Sequence, residues 1–208
     1  ESKSLISASY EGDYPKEITH TESITNGEKK NYTETYSFVD GKLKTTIKKY
    51  DNSDRATTTT YSYHNDGKLA KVLDEEPRKS SLNGEIMEDI YVTETDYTHT
   101  GNVITATEKR YFKDTQGNKR DGNTSLTTYT YTFENDNLIK KTENSTEYYS
   151  TTEYIYDEKN NPLFQNFKKL INPDYFNDAK NSKNNILTRK ITTKYNYNNS
   201  TIVKEYVY

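Results

Sequence analysis

A short tyrosine-rich phrase, repeated along most of the chain, constrains the fold more than any other feature. In Thr59–Leu69, threonine and tyrosine alternate with small polar residues and lead into an Asn-Asp-Gly turn at 65–67. Period-two alternation sends side chains to opposite faces of a β-strand, and a three-residue loop with a left-handed glycine joins antiparallel strands. The phrase therefore predicts a β-hairpin with Gly67 left-handed and with Tyr63 facing Leu69 across the ladder.

Less regular copies of this phrase recur at intervals of roughly 25 to 40 residues, which is typical of a hairpin array. The copies begin at Tyr36, Tyr97, Tyr129, Tyr154 and Tyr195. In the copy at 129–139, Asn137 takes the place of the turn glycine, and Asn is the best non-glycine choice for a left-handed residue. The predicted fold is all-β: an antiparallel up-and-down meander of about 12 to 14 strands, strongly curved, and either open or closed into a barrel.

Two segments interrupt the strand pattern. Residues 74–81 are charged and contain a proline, which predicts a solvated loop. Residues 163–171 carry apolar side chains at helical spacing between two prolines, which predicts a short helical insertion of about two turns. Because this insertion breaks an otherwise repetitive scaffold, its apolar side chains are the candidate ligand-binding residues. They are Phe164, Phe167, Leu170 and Ile171.

Composition indicates one all-β domain, spanning 1–208, whose core depends on tyrosine. The 208 residues include 21 Tyr but only 6 Phe and no Trp. Tyrosine can pack its ring while keeping its hydroxyl at water or at a partner, so most Tyr doublets are predicted to form core. The alternative is that some of these rings form an exposed strip that stacks on sugars or peptides, with Asn and Thr supplying hydrogen bonds.

Charge and cysteine content narrow the class of partner. The formal net charge is −3, with a pI near 5.8 and no cysteine. Interspersed Lys and Glu give no basic face for nucleic acid, and the absence of cysteine excludes disulfides and thiolate chemistry. No run of apolar residues approaches the length of a membrane-spanning helix. Any leader or lipid anchor is expected to lie in a segment not contained in this chain.

No catalytic or metal-binding motif stands out. His20, His64 and His99 are far apart in sequence, which favours surface or hairpin-tip histidines over a zinc site. Residues 114–123 contain calcium-loop residue types, but the oxygen ligands lack the required spacing and the closing acid. The chain contains neither a Gly-x-Ser-x-Gly elbow nor a phosphate-binding glycine loop. The sequence therefore predicts a protein that is not an enzyme and holds no cofactor or metal.

Two phrases resemble known bacterial families. Tyr154–Leu163 resembles the YD repeat of RHS-type secreted proteins, although Lys42 and Lys68 stand where the usual Arg follows the turn glycine. Tyr156–Asn166 and Ser182–Ile186 are similar to uncharacterised secreted lipoproteins of Bacteroidetes, a group with porin-like or other barrel-like domains of unknown function. This resemblance implies export to the periplasm, outer membrane or cell surface, and lipid anchoring through an N-terminal Cys outside this chain.

These observations predict a non-catalytic exported binding or structural module of the bacterial envelope, whose partner is an envelope protein or a glycan. The alternative is a β-barrel carrier of a lipid or another hydrophobic ligand. The two differ in whether the sheet closes. Pro15 near one end and Lys204-Glu205 near the other are residues that protect exposed sheet edges, which favours the open form.

Overall fold

The computed structural model describes residues 3–12, 14–23, 29–82, 85–120, 124–161, 179 and 182–208. Within these ranges the chain forms one sheet of 13 antiparallel strands, and the order of strands in the sheet follows the order along the chain. The predicted all-β up-and-down meander is therefore confirmed. The strands are β1 (Lys3–Glu11), β2 (Tyr14–Ser23), β3 (Lys29–Val39), β4 (Lys42–Tyr50), β5 (Ala56–Tyr63), β6 (Leu69–Leu82), β7 (Glu85–Thr100), β8 (Val103–Asp114), β9 (Ser125–Glu134), β10 (Asn137–Ser145), β11 (Tyr148–Asn160), β12 (Asn184–Tyr195) and β13 (Thr201–Val207).

The sheet is open, which decides between the two predicted forms. In the part of the chain that the structure describes, β1 and β13 each have a single neighbouring strand and do not pair with each other. The closed barrel is therefore not supported, because closure requires the first and last strands to share a ladder. The helical insertion predicted at 163–171 lies outside the described residues, and the curvature of the sheet stays a prediction.

The chain groups into two compact units. The first unit comprises Glu1–Ser62, Val72–Thr93 and Tyr111–Asn123, and the second comprises Tyr63–Lys71, Glu94–Arg110 and Thr124–Tyr208. Each unit buries its own apolar side chains among those described. Leu43 and Val92 are buried in the first unit, and Leu69, Tyr97, Ala106, Tyr131, Leu138 and Ala179 are buried in the second. The prediction of a single domain over 1–208 is not tested by this grouping.

The turns show how local residue chemistry sets the hairpins. At 64–68, the backbone N–H of His64 donates to the carbonyl of Lys68 at 2.8 Å, and Gly67 has φ +85°. The predicted left-handed Gly67 is therefore confirmed. In the hairpin between β9 and β10, however, the left-handed residues are Asn135 and Asp136, and the prediction for Asn137 was wrong. Asn135 and Asp136 are the two central residues of this two-residue turn, so Asn137 is the first residue of β10.

The charged segment 74–81 is strand, and the predicted loop was wrong. These residues lie inside β6. Asp74 accepts a hydrogen bond from the Thr59 hydroxyl at 2.8 Å, and burial raises the pKa of the Asp74 carboxyl. Glu75 pairs with Lys113 from another strand of the same unit. The loop prediction failed because partners distant in sequence satisfy these charges, and single-sequence patterns do not reveal such partners.

Most doublet tyrosines are neither core nor fully exposed. Tyr131 is 4 % exposed and Tyr197 is 77 % exposed, while the other described doublet rings are half-buried. Tyr36, which precedes Phe38 in its copy of the phrase, is also half-buried; it donates to Glu34 at 2.8 Å, and burial together with this bond raises the pKa of the phenol. The two predicted roles, core and exposed strip, are therefore divided among different rings along the sheet.

Candidate functional site

A groove in the second unit is the candidate functional site. It lies on one face of β10, β11 and β12, is open along one side, and has a volume of about 580 Å³. Its lining combines aromatic, hydroxyl-bearing, aliphatic and charged side chains from these strands, together with Ala179 and Tyr208. This mixture is typical of sites that bind a polar ligand with flat apolar faces.

Period-two alternation and strand register bring the lining residues together. On β11, every second residue from Tyr148 to Tyr154 points to the groove, and the same holds for β12 from Arg189 to Tyr195. The antiparallel register places these residues side by side as cross-strand pairs. The pairs are Tyr148 with Tyr195, Ser150 with Thr193, Thr152 with Ile191, and Tyr154 with Arg189.

One end of the groove is a tyrosine cluster. The ring centres of Tyr148 and Tyr195 lie 6.2 Å apart, and those of Tyr195 and Tyr197 lie 5.6 Å apart. The Tyr148 hydroxyl donates to the Glu143 carboxylate at 2.5 Å. This hydrogen bond, with burial, raises the pKa of Tyr148 to about 12. Glu143 is therefore engaged by a phenol that keeps its proton at neutral pH.

The face continues from the groove onto β9. Register places Tyr131 opposite Lys141 and Tyr129 opposite Glu143. The Lys141 ammonium lies 5.1 Å from the ring centre of Tyr129 and 5.5 Å from that of Tyr131. Burial raises the pKa of both phenols. Tyrosine and lysine therefore form a packed wall beside the groove, held by ring contact and cation–π attraction.

The middle of the groove floor is lined by hydroxyl groups. Ser150 and Thr193 lie opposite each other on β11 and β12, with their hydroxyl oxygens 3.1 Å apart. Thr152 is buried next to them along β11. Each hydroxyl can donate one hydrogen bond and accept two, so this strip can exchange hydrogen bonds with a polyhydroxylated ligand.

Arg189 is the most unusual charged residue of the groove. Its side chain is half-buried, its Nε is shielded from solvent, and this Nε has no hydrogen-bond partner. The guanidinium carbon lies 5.9 Å from the ring centre of Tyr206. Among the described residues, no carboxylate forms an ion pair with Arg189. Buried polar atoms normally have hydrogen-bond partners, and within the described part of the chain this Nε is an exception.

A hydrogen-bonded network fixes both ends of the 161–182 connection next to this groove. The Ser182 hydroxyl accepts from the backbone N–H of Leu138 at 3.0 Å and lies 2.9 Å from the Tyr156 hydroxyl. Tyr156 donates to the carbonyl of Leu138 at 2.7 Å, and the Asn161 amide donates to the carbonyl of Ser182 at 2.9 Å. These bonds fix the position of Ala179, through the backbone bond from Ser182 to its carbonyl.

The predicted site residues Phe164, Phe167, Leu170 and Ile171 lie outside the described residues, so their assignment stays a prediction. The groove itself was not predicted from the sequence. The detectable signal was the alternation of Tyr, Ser, Thr and Tyr at 148–154, but its pairing with Arg189 depends on the register of strands separated by a long connection.

Two of the three histidines lie together, which the sequence did not predict. The rings of His64 and His99 are perpendicular, with centres 6.0 Å apart. Their Nε2 atoms lie 3.1 Å from the Tyr97 carbonyl oxygen and 2.8 Å from the Leu69 carbonyl oxygen, respectively. Within the described ranges, no cluster of three or more potential metal ligands occurs. These histidines therefore join neighbouring hairpins through backbone carbonyls.

Comparison with known proteins gives no match, either to a protein-family model or to a curated protein sequence. Within the described residues, no helix has the length and apolar character needed to cross a bilayer. The function of the chain is therefore inferred from the chemistry of the groove.

Proposed function

We propose that the chain is a non-catalytic binding module that holds a glycan in the groove of its second unit. The observation that carries this proposal is a groove of about 580 Å³ in which tyrosine rings flank a floor of hydroxyl groups. Sugars present apolar ring faces that stack on aromatic side chains, and hydroxyl groups that bond to Ser and Thr. Both kinds of surface stand side by side in this groove.

The charged groups of the groove support binding rather than catalysis. Its carboxylate, Glu143, accepts from the Tyr148 hydroxyl and so is already engaged. General acid–base hydrolysis of a glycoside commonly needs two carboxylates across the scissile bond. Among the described side chains that line the groove, Glu143 is the single carboxylate. The alternative function, a barrel carrying a lipid, loses its structural basis because the sheet is open.

A glycan array tests the proposal. The full chain is applied to an array of defined neutral and acidic glycans as wild type, as Tyr154→Ala and as Tyr149→Ala. Tyr154 lines the groove, whereas its near neighbour Tyr149 is 44 % exposed and absent from the lining, so the second variant is a matched control. We expect the wild type and Tyr149→Ala to retain the same glycans and Tyr154→Ala to lose them. Absence of binding by folded wild-type protein contradicts the proposal.

Export to the bacterial envelope is the second part of the proposal, and the resemblance of Tyr156–Asn166 and Ser182–Ile186 to secreted lipoproteins supports it. Fractionation of the source cells, with an antibody against this chain, is expected to find the protein in the envelope or outside the cell.

Replacing 164–171 with a Gly/Ser loop tests the predicted specificity segment. If glycan binding is unchanged in that variant, the segment does not determine specificity.

A further inference from the structure

Arg189 lies in the groove with no acidic partner among the described residues. Its neighbours across the strands are Tyr154 on β11 and Tyr206 on β13, so aromatic side chains stand on both sides. The buried Nε lacks a hydrogen-bond partner. A guanidinium presents planar, paired N–H donors that match a carboxylate in a two-bond arrangement. A ligand carboxylate in the groove would give this guanidinium the acidic partner that it lacks among the described residues.

The backbone around Arg189 excludes peptide binding by strand addition at this site. β11 pairs with β10 on one side and with β12 on the other, and β12 pairs with β13. Strand addition requires free backbone N–H and C=O groups at a sheet edge. The residues that line the groove instead supply rings, hydroxyl groups and charges. Recognition through these groups suits a ligand that carries its own hydroxyl groups on flat rings.

The charge of the groove distinguishes among acidic groups. Its described lining contains two cationic side chains, Lys141 and Arg189, and the side-chain carboxylate of Glu143, so the formal charge of the lining side chains is +1. A sugar carboxylate carries a single negative charge, whereas a phosphate monoester carries close to two at neutral pH. A guanidinium can bind such a carboxylate through two parallel N–H donors.

We infer that the groove binds an acidic oligosaccharide built from uronic acids, and that Arg189 pairs with a carboxylate of one sugar ring. This inference rests on the proposed function, because it names the class of glycan that the same groove holds. The tyrosines stack on the ring faces, the Ser150 and Thr193 hydroxyls bond to sugar hydroxyls, and Arg189 selects the charged sugar.

Isothermal titration of the full chain with defined oligosaccharides tests this inference. The probes are tetragalacturonate, tetramannuronate, the methyl ester of each, and a sulfated galactan tetrasaccharide. The variants are Arg189→Gln and a matched control, Lys190→Gln, which removes the same charge from the adjacent residue of β12. Lys190 is exposed and does not line the groove. Thermal unfolding of each variant checks that it folds.

We expect the wild type to bind at least one of the two uronate tetramers, and esterification of that tetramer to weaken binding roughly 10- to 100-fold, the usual value of a hydrogen bond to a charged group. Arg189→Gln should produce a similar loss for the acid and little change for the ester. Lys190→Gln should bind like the wild type. Raising the salt concentration should weaken binding of the acid more than binding of the ester.

Three results would overturn the inference. The first is equal affinity for acid and ester together with no effect of Arg189→Gln. If Tyr154→Ala still abolishes binding in that case, the glycan-binding function stands and only the acidic specificity fails. The second is tighter binding of the sulfated tetrasaccharide than of either uronate. The third is that neither uronate tetramer binds. In that case the glycan array decides separately whether the proposed glycan-binding function holds.

Discussion

Two arginines lie over tyrosine rings, one in each compact unit, and they differ in how their guanidinium groups are satisfied. In the first unit, the Arg78 guanidinium carbon lies 4.1 Å from the ring centre of Tyr91, and its Nη2 donates to Glu76 at 2.8 Å. In the second unit, the Arg189 guanidinium carbon lies 5.9 Å from the ring centre of Tyr206, and its buried Nε has no hydrogen-bond partner among the residues that the structure describes. The same residue pair therefore occurs once with and once without an acid.

The difference separates a structural cation from a candidate binding cation. Arg78, Glu76 and Tyr91 form a closed set whose charge and ring face are both engaged within the unit. Arg189 has the ring but lacks the acid, and it lines a groove. A buried donor without a partner costs free energy unless a ligand supplies the acceptor. Both units therefore place an arginine over a tyrosine ring. The buried Nε of Arg189 is the donor that lacks a partner among the described residues, and Arg189 lines the groove.

Removing the ring under each arginine is expected to give the largest difference. Tyr91 is half-buried and packs 5.1 Å from the ring centre of Phe112 as well as beneath Arg78. We expect Tyr91→Ala to lower the free energy of unfolding by about 2 to 3 kcal/mol, because it leaves a partly buried cavity. Tyr206 is 43 % exposed, so Tyr206→Ala should cost less than about 1 kcal/mol.

Urea unfolding monitored by circular dichroism measures both changes in free energy. Tyr208→Ala, which removes a ring that is 68 % exposed, is a control for loss of surface aromatic area. Equal losses for Tyr91→Ala and Tyr206→Ala would contradict the comparison, because both rings would then be structural.

Removing each guanidinium is expected to have a smaller effect on stability, with a loss in the first unit and no loss in the second. Arg78→Met removes a surface ion pair and a cation–π contact, and we expect it to destabilise the protein by about 1 kcal/mol. Arg189→Met removes an unsatisfied buried donor and keeps the apolar stem, so stability should be unchanged or rise slightly. The same urea titrations measure both effects. If Arg189→Met costs as much as Arg78→Met, Arg189 is a structural residue and the acidic-glycan inference loses its support.

The hairpins were predictable from sequence because they depend on local rules. Alternation of Tyr and Thr defined the strands, and Gly67 marked a turn that needs positive φ. The number of strands followed from counting these signals. The prediction failed at Asn137, which was expected to replace the turn glycine as the left-handed residue. The residues with positive φ in this turn are Asn135 and Asp136.

Features that depend on distant partners were not predictable. The charged segment 74–81 continues as strand, and two of its acids, Asp74 and Glu75, are engaged by the distant residues Thr59 and Lys113. The groove depends on the pairing of β11 with β12, whose register skips residues between Tyr156 and Asn160 and so cannot be counted from the sequence. No local sequence pattern marks Arg189, because its role in the groove is inferred from the absence of an acidic partner among the described residues.

The smallest expected effect concerns the Tyr148–Glu143 pair, which keeps the acid of the groove engaged. In the folded protein the pKa of Tyr148 is raised to about 12, above the ordinary tyrosine value of about 10. The folded state therefore holds this proton more tightly than the unfolded state does. The resulting stability is fully present below about pH 10 and is lost as pH rises from 10 towards 12.

Tyr148→Phe should lower the free energy of unfolding at pH 8 by at most about 1 kcal/mol, because the pair is only half-buried. It should also flatten the decline of stability between pH 10 and 12. Urea titrations across this pH range measure both effects, and Glu143→Gln with the double variant completes a mutant cycle. Additive losses would mean that the phenol does not engage Glu143. That carboxylate would then be free to accept a hydrogen bond from a ligand, and Glu143 would be an available groove acid beside Arg189 rather than one held by a structural partner, as Glu76 is held by Arg78.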